Sequence, residues 1–324
     1  MTPVPDAPAP GPRAFIHTVL GPVEPERIGT TMMHEHILID EYYWQLGSYD
    51  AIMDDEDVLT AEMGPYAAAG GSCIVDVTNS NMGRNPAGLA RISRASGVHI
   101  VFGGGWYKDV DYPPMINELS TNELADLVAR EFIEGVDGTG ICPGIYGEMG
   151  TDRRFITARE ERAFRAVARA QRRIGFSIST HTTHYGELAF EQIALLREEG
   201  VPNERIVIGH VGERFGAKDV LRIAAEGVFV QVDHVGRPEA AGMISDRQRA
   251  RNVAELVAAG VTSQVTLSMD ICTNSQLKAH GGHGFGHLLS TFVPLLREEG
   301  VPDDAIETML VHNPRRILAF PVPA

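Results

Sequence analysis

Thr31-Met32-Met33-His34-Glu35-His36 is an apolar run that turns polar in its last three residues. It reads as the C-terminal end of a β-strand. Side chains alternate along a strand, so His34 and His36 share one face and Glu35 takes the other. Two imidazoles side by side at a strand end can grip a metal ion, because neutral histidine is the commonest metal ligand. The plainer reading is a pair of hydrogen-bonded strand-end residues, since any buried polar group needs a partner. The choice between the two depends on whether other strands end in the same way.

Working outward, residues 15–28 read as a short extended pair with a turn at Gly21-Pro22. Residues 1–14 are rich in Pro and Ala and are expected to form a disordered tail. Downstream, β-branched apolar runs at 73–77, 98–102, 141–149, 176–181, 205–210, 228–232 and 264–270 read as strands. Helix-patterned segments follow each strand, at 57–69, 85–95, 121–136, 158–174, 186–199, 217–225, 246–259 and 287–298. Gly70, Gly200 and Gly260 stand where helix stops are expected. Two short helices, from Asp303 and from Pro314, close the chain. Apolar strands alternating with helices argue a parallel sheet covered by helices. Eight such units with no break in composition predict an α/β fold, a single-domain (β/α)8 TIM barrel over residues 15–324. An open doubly wound sheet would call for a glycine fingerprint after the first strand, where this chain has histidines.

Composition narrows the function. Of 324 residues, 44% are hydrophobic, enough for a large core, and 28 basic against 43 acidic residues give a net charge of −15. Phosphate backbones and anionic lipid would be repelled, so no nucleic-acid or membrane partner is expected. No apolar run is long enough to span a bilayer, and no apolar leader segment stands at the start. Cys73, Cys142 and Cys272 are too few for a disulfide framework. Cys73 and Cys142 read as buried thiols, and a reduced, cytoplasmic setting is expected.

The strand ends do repeat the histidine theme. Glu148 ends the fourth strand, His181 the fifth, His210 the sixth and Asp270 the eighth. A barrel brings these ends to one mouth, where active sites lie. Four histidines and two carboxylates suit two zinc-like divalent ions, with one carboxylate bridging them. The competing reading of Glu148 is a salt bridge to Arg153 or Arg154 at the barrel rim.

With these residues in place, the chain resembles the phosphotriesterase family of the amidohydrolase superfamily, from Thr18 to Phe320. The resemblance rests on His34-x-His36, Ser179-Thr180-His181-Thr182, Ile208-Gly209-His210 and Ser268-Met269-Asp270. It implies that His34, His36 and Asp270 hold one metal, that His181 and His210 hold the other, and that Asp270 accepts the proton of a bridging hydroxide. The best-known members bridge their metals with a carbamylated lysine. Here the segment is Gly147-Glu148-Met149-Gly150, so the chain looks like the phosphotriesterase homology protein branch, in which a glutamate bridges. The resemblance thus implies a binuclear metal-dependent hydrolase acting on a small molecule. A lactone or carboxylic ester comes first as substrate, a small N-acyl amide second and a phosphotriester third. A metal-binding protein without turnover is the competing class, and the presence of Asp270 speaks against it. A homodimer is allowed.

The loops carry the substrate residues. Trp106 and Tyr107 after the third strand, Arg237 after the seventh and Lys278 after the eighth are candidates, with Lys278 and Arg237 suited to an anionic substrate group. Solvated loop charges are the plainer reading of both. His280 and His283 read as loop residues, and Tyr42, Tyr43 and Trp44 as either pocket lining or rim packing.

Overall fold

The computed structural model describes residues 14–42, 47–152, 154–183, 186–214, 216–237 and 243–321. Residues 1–13 of the expected tail, together with Tyr43, Trp44 and Arg153, lie outside them. Eight barrel strands run in sequence order: β1 Thr30–Glu35, β2 Gly71–Asp76, β3 His99–Gly104, β4 Ile145–Gly150, β5 Ile178–His181, β6 Ile206–Ile208, β7 Phe229–Val232 and β8 Val265–Leu267. Every neighbouring pair is parallel. The ring closes from β8 back to β1 just beyond the strand, where the Asp270 amide donates to the His34 carbonyl at 3.1 Å and the His36 amide to the Ile271 carbonyl at 2.9 Å. The architecture is the expected TIM barrel.

The outer layer comprises α1 Glu56–Ala68, α2 Pro86–Ser96, α3 Thr121–Glu134, α4 Ala158–Ile174, α5 Ala189–Glu198, α6 Lys218–Ala224, α7 Asp246–Ala258 and α8 Val293–Glu298. Ser120 with Glu123 and Thr157 with Glu160 form capping boxes that start α3 and α4. The segment expected to be one helix over 287–298 begins instead as a wide π turn, Leu288–Phe292, and a second π turn, Thr308–His312, precedes Asn313–Leu318. Each π turn lies just ahead of a proline, Pro294 or Pro314. Proline lacks an N–H and crowds the carbonyl one turn back, and a wider turn relieves both conflicts.

Inside the barrel, Met33, Val75, Val101, Ile145, Val207 and Phe229 pack with Ile16, Ile317 and Leu318, all buried. Burying one such side chain contributes roughly 1.5–3 kcal/mol. Ile16 belongs to an N-terminal hairpin, Ala14–Thr18 with Gly21–Val23. The hairpin reverses at Val19-Leu20, two residues earlier than the sequence suggests; Gly21, at φ 108, already opens the returning strand. Ala14, expected in the tail, pairs with Pro321. Phe176, just before β5, packs on Phe320 at 3.8 Å between ring centroids, so both termini cover the N-terminal end of the barrel. The apolar filling thus occupies that end and leaves the C-terminal mouth to polar residues.

Two strands stop short of their expected ends. His210 lies two residues past β6 and Asp270 three past β8, both in the left-handed region at φ 57 and 52. A side chain there costs of order 1–3 kcal/mol and persists only where surrounding contacts impose it. At β4 the close approach of neighbours requires glycine: a Cβ on Gly147, at φ 125, would sit 2.2 Å from the Ser179 carbonyl oxygen. The Gly147–Glu148 peptide is cis.

Candidate metal centre

From His34 to His36 the strand alternation at β1 holds, although the register with β2 shifts between Met32 and Glu35. His34 and His36 turn inward while Glu35 turns to the seam, where it accepts from Ser268 Oγ at 2.8 Å, Met269 N at 2.7 Å and Ile271 N at 2.9 Å. These donors flank Asp270, so the residue between the two histidines fixes the backbone on which Asp270 stands. Burial pushes the Glu35 carboxyl up to about 7, opposed by these donors.

Glu148 lies at the centre of the mouth. Its Oε1 is 3.3 Å from His36 Nε2, and its Oε2 is 3.3 Å from His34 Nε2, 3.0 Å from His181 Nδ1 and 3.5 Å from His210 Nε2. Asp270 Oδ1 lies 3.4 Å from His36 Nε2 and 3.8 Å from His34 Nε2. The six expected residues therefore converge as two groups, His34 with His36 and Asp270, and Glu148 with His181 and His210. Among the described residues the ionic partners of Glu148 are histidines, and Arg154 is not one of them. Burial would raise the Glu148 carboxyl, but His34 and His181 hold it well below the usual carboxylate range. His181 moves down to about 4, mainly through burial.

Two observations test the fit to metal. His34 Nε2 is buried without a hydrogen-bond partner. Several donor separations, 3.3 to 3.5 Å, exceed hydrogen-bond length. They match the edge of a tetrahedron drawn around zinc, about 3.3 Å for bonds near 2.05 Å. Nitrogen and oxygen donors turned toward one another in this way fit a pair of divalent ions.

The supporting shell is largely outside the sequence reading. Gln231 Oε1 lies 3.1 Å from His34 Nδ1, which places the hydrogen on Nδ1 and leaves the Nε2 lone pair facing inward. Thr78 Oγ1 meets His36 Nδ1 at 2.8 Å. Asp233 accepts from the His210 amide and lies 3.2 Å from His210 Nδ1 and 3.5 Å from His34 Nδ1. Although burial opposes it, His210 keeps the Asp233 carboxyl down at about 2. Asp270 Oδ2 is held by Arg237 Nη2 at 2.7 Å and by His234 Nε2 at 3.2 Å. His234 Nδ1 is 3.4 Å from Glu213 Oε1, and Arg249, fully buried on α7, clamps both Glu213 oxygens at 3.2 and 2.7 Å. Burial raises the Asp270 carboxyl, but Arg237 and His234 reverse this and hold it well below the usual range. Glu213, His234 and Asp233 carry no spacing signal. Only their place after the β6 and β7 ends points to them.

A cavity of about 550 Å³ opens over these residues. Tyr107 lines it, with its hydroxyl 3.3 Å from His181 Nδ1, and Arg237 lines it from the Asp270 side. The other two loop candidates stand elsewhere. Trp106 is buried in the hydrophobic core and does not line the cavity. Lys278 is exposed on the turn Lys278–His280, outside the cavity wall. Lys108, Glu41, Asp152 and Cys272 complete much of that wall. Cys73 is buried as expected, whereas Cys142 is partly exposed; neither forms a disulfide.

The sequence model of the phosphotriesterase family matches residues 14–318. This chain belongs to the phosphotriesterase family. Its membership, with the buried ligand groups, makes it a metal-dependent hydrolase. A phosphotriesterase homology protein from Escherichia coli is 34% identical, covering 88% of this chain and 96% of its own length. Its crystal structure, with phosphate in the active site, superposes with a TM-score of 0.86 over 90% of this chain and 99% of that one. An N-acetyltaurine hydrolase from Danio rerio is 29% identical over 95% of this chain and 99% of its own. A lactonase structure from Listeria monocytogenes is 29% identical, with a TM-score of 0.88, over 95% of this chain and all of that one. In this chain the buried Glu148 bridges the histidines of both groups.

Proposed function

We propose that this phosphotriesterase-family chain hydrolyses a carboxylic acyl bond, in a lactone or an ester, at a binuclear centre. The observation that carries the reading is the division of Asp270: Oδ1 faces His34 and His36, while Oδ2 is held by Arg237 and His234. Two divalent ions, zinc on the strength of the imidazole and carboxylate donors, would supply Lewis acidity and acidify water when bound. His34, His36 and Asp270 would hold one, His181 and His210 the other, and Glu148 would touch both. Asp270 Oδ1 is placed to accept a proton as the acyl carbon is attacked. His234 Nε2, 3.2 Å from Oδ2, is placed to take that proton onward, with Glu213 steadying the imidazolium from the far side. The Tyr107 hydroxyl is placed to orient the substrate's oxygen, and Met82, Met243 and Cys272 supply the apolar part of the wall.

The same relay can return a proton to an amine leaving group, so a small N-acyl amide is the second reading. Similarity to an N-acetyltaurine hydrolase over nearly the full chain favours it specifically. Phosphotriesters come third, because the bridge is glutamate rather than carbamylated lysine. A panel of lactones, carboxylic esters, N-acyl amines and a phosphotriester, assayed with metal-loaded protein, tests this order. Turnover of lactone or ester above the rest is expected, and turnover confined to phosphotriester would overturn the proposal.

A further inference from the structure

The cavity wall carries two basic side chains among the described residues, Arg237 and Lys108. They are differently committed. Arg237 Nη2 is bonded to the Asp270 carboxylate at 2.7 Å and to the Asp270 carbonyl at 2.6 Å. Lys108 Nζ lies 3.5 Å from Asp152 Oδ1, longer than the 2.7–2.9 Å usual for a charge-assisted hydrogen bond. Asp152 is itself exposed, so water competes for its carboxylate and weakens the pair.

The Lys108 backbone, by contrast, is firmly placed. The Gly150 amide donates to the Tyr107 carbonyl at 2.6 Å, which straps the loop after β3 onto the end of β4, two residues beyond Glu148. Glycine permits the approach, since a Cβ at 150 would meet the Tyr107 oxygen at 3.1 Å and Lys108 Cβ at 3.2 Å. From this strap the Tyr107 hydroxyl reaches His181 at 3.3 Å, and the Lys108 ammonium lies 4.6 Å from the Tyr107 ring centroid. The ammonium therefore stands about one aromatic ring away from His181, in the cavity wall. It rests on a ring face, which attracts the charge without occupying its N–H donors.

We propose that Lys108 selects substrates bearing a negatively charged group remote from the bond to be cleaved, with Asp152 holding its ammonium until such a group displaces it. Without Lys108, Glu41 and Asp152 would leave this wall acidic and repel such a group. Arg237, which the sequence suggested for this task, is drawn to Asp270 through Nη2, and Lys278 stands outside the cavity. The inference rests on the acyl-hydrolase reading above and names the substrate class within it.

The test uses two esters of matched size, monomethyl succinate with its free carboxylate and methyl succinamate with a neutral amide in its place. Metal-loaded wild-type protein is expected to favour the anionic ester in kcat/KM by about tenfold or more, as one charge-assisted hydrogen bond would give, with the difference in KM. Lys108→Gln should bring the ratio to one or below, and Asp152→Asn, which frees the ammonium, should raise it several-fold. Opposite movements of one ratio in two neighbouring variants cannot come from misfolding. A wild-type ratio near one, or a high ratio that Lys108→Gln leaves in place, overturns the proposal. If neither ester is turned over, calorimetric binding of the same two compounds to wild type and Lys108→Gln decides the matter. Preferential binding of the anion that is lost in the variant upholds the role of Lys108 even though the ester reading has failed; equal binding overturns it.

Discussion

Glu148 presents one oxygen to His36 and the other to His34, His181 and His210, so its charge is shared by both ligand groups. Glu148→Gln keeps the shape and removes that charge. Elemental analysis of the variant should find one divalent ion or fewer per chain where wild type carries about two, as a two-metal site requires; a full complement in the variant would exclude the bridging role. A glutamate is already ionised at neutral pH, with an unperturbed pKa of about 4.3, whereas a carbamate must first be made from lysine and carbon dioxide. Reloading the apo-protein in bicarbonate-depleted buffer should therefore recover the activity obtained with bicarbonate. Asp270→Asn keeps the contacts of the carbonyl group and removes the base. Its turnover should fall on the order of 10²-fold or more, the usual share of a positioned general base, and near wild-type turnover would remove Asp270 from that role.

At the scale of elements, the weak point of the barrel is the seam between β1 and β8, which Glu35 closes through Ser268, Met269 and Ile271. Glu35→Ala leaves buried N–H groups unsatisfied, at about 1–3 kcal/mol each. Its urea midpoint should drop sharply, and metal affinity should drop with it because Asp270 rides on the same segment. The Arg249–Glu213 pair ties α7 to the loop after β6 where both side chains are fully buried. Arg249→Met strands the Glu213 charge and should cost about 3–5 kcal/mol. The elements themselves were legible in the sequence because periodicity and helix stops are local signals. Their junctions were not. Glu35 reads correctly as facing away from the histidines, yet its partners lie more than 230 positions downstream. The six candidate ligands were legible because each ends an apolar run. Gln231, Asp233 and Glu213 were not, since a buried polar residue looks like any other until its partner is known. Arg237 and Lys278 looked alike as loop cations. Only the cavity separates Arg237 and Lys108, which line it, from Lys278, which does not.

Across the whole molecule, the apolar filling and the ligand groups occupy opposite ends of one ring, so ion binding and folding are coupled. Ions that bind only the folded state stabilise it by about 2.7 kcal/mol per site at a free concentration one hundred times Kd. Chelation should therefore lower Tm by roughly 5 °C or more for a chain of this size, and restoring zinc should reverse the drop. An unchanged Tm on stripping would show that the barrel is indifferent to its ligands' occupancy. The seam gives this coupling a local clock. The amide hydrogens of His36, Asp270 and Ile271 are engaged across it, to the Ile271 carbonyl, the His34 carbonyl and Glu35 Oε2. They can trade for deuterium only when β1 and β8 part. Because His34, His36 and Asp270 would share one ion, loading should slow exchange at these three amides more than along the β2–β3 ladder, which carries none of the six residues.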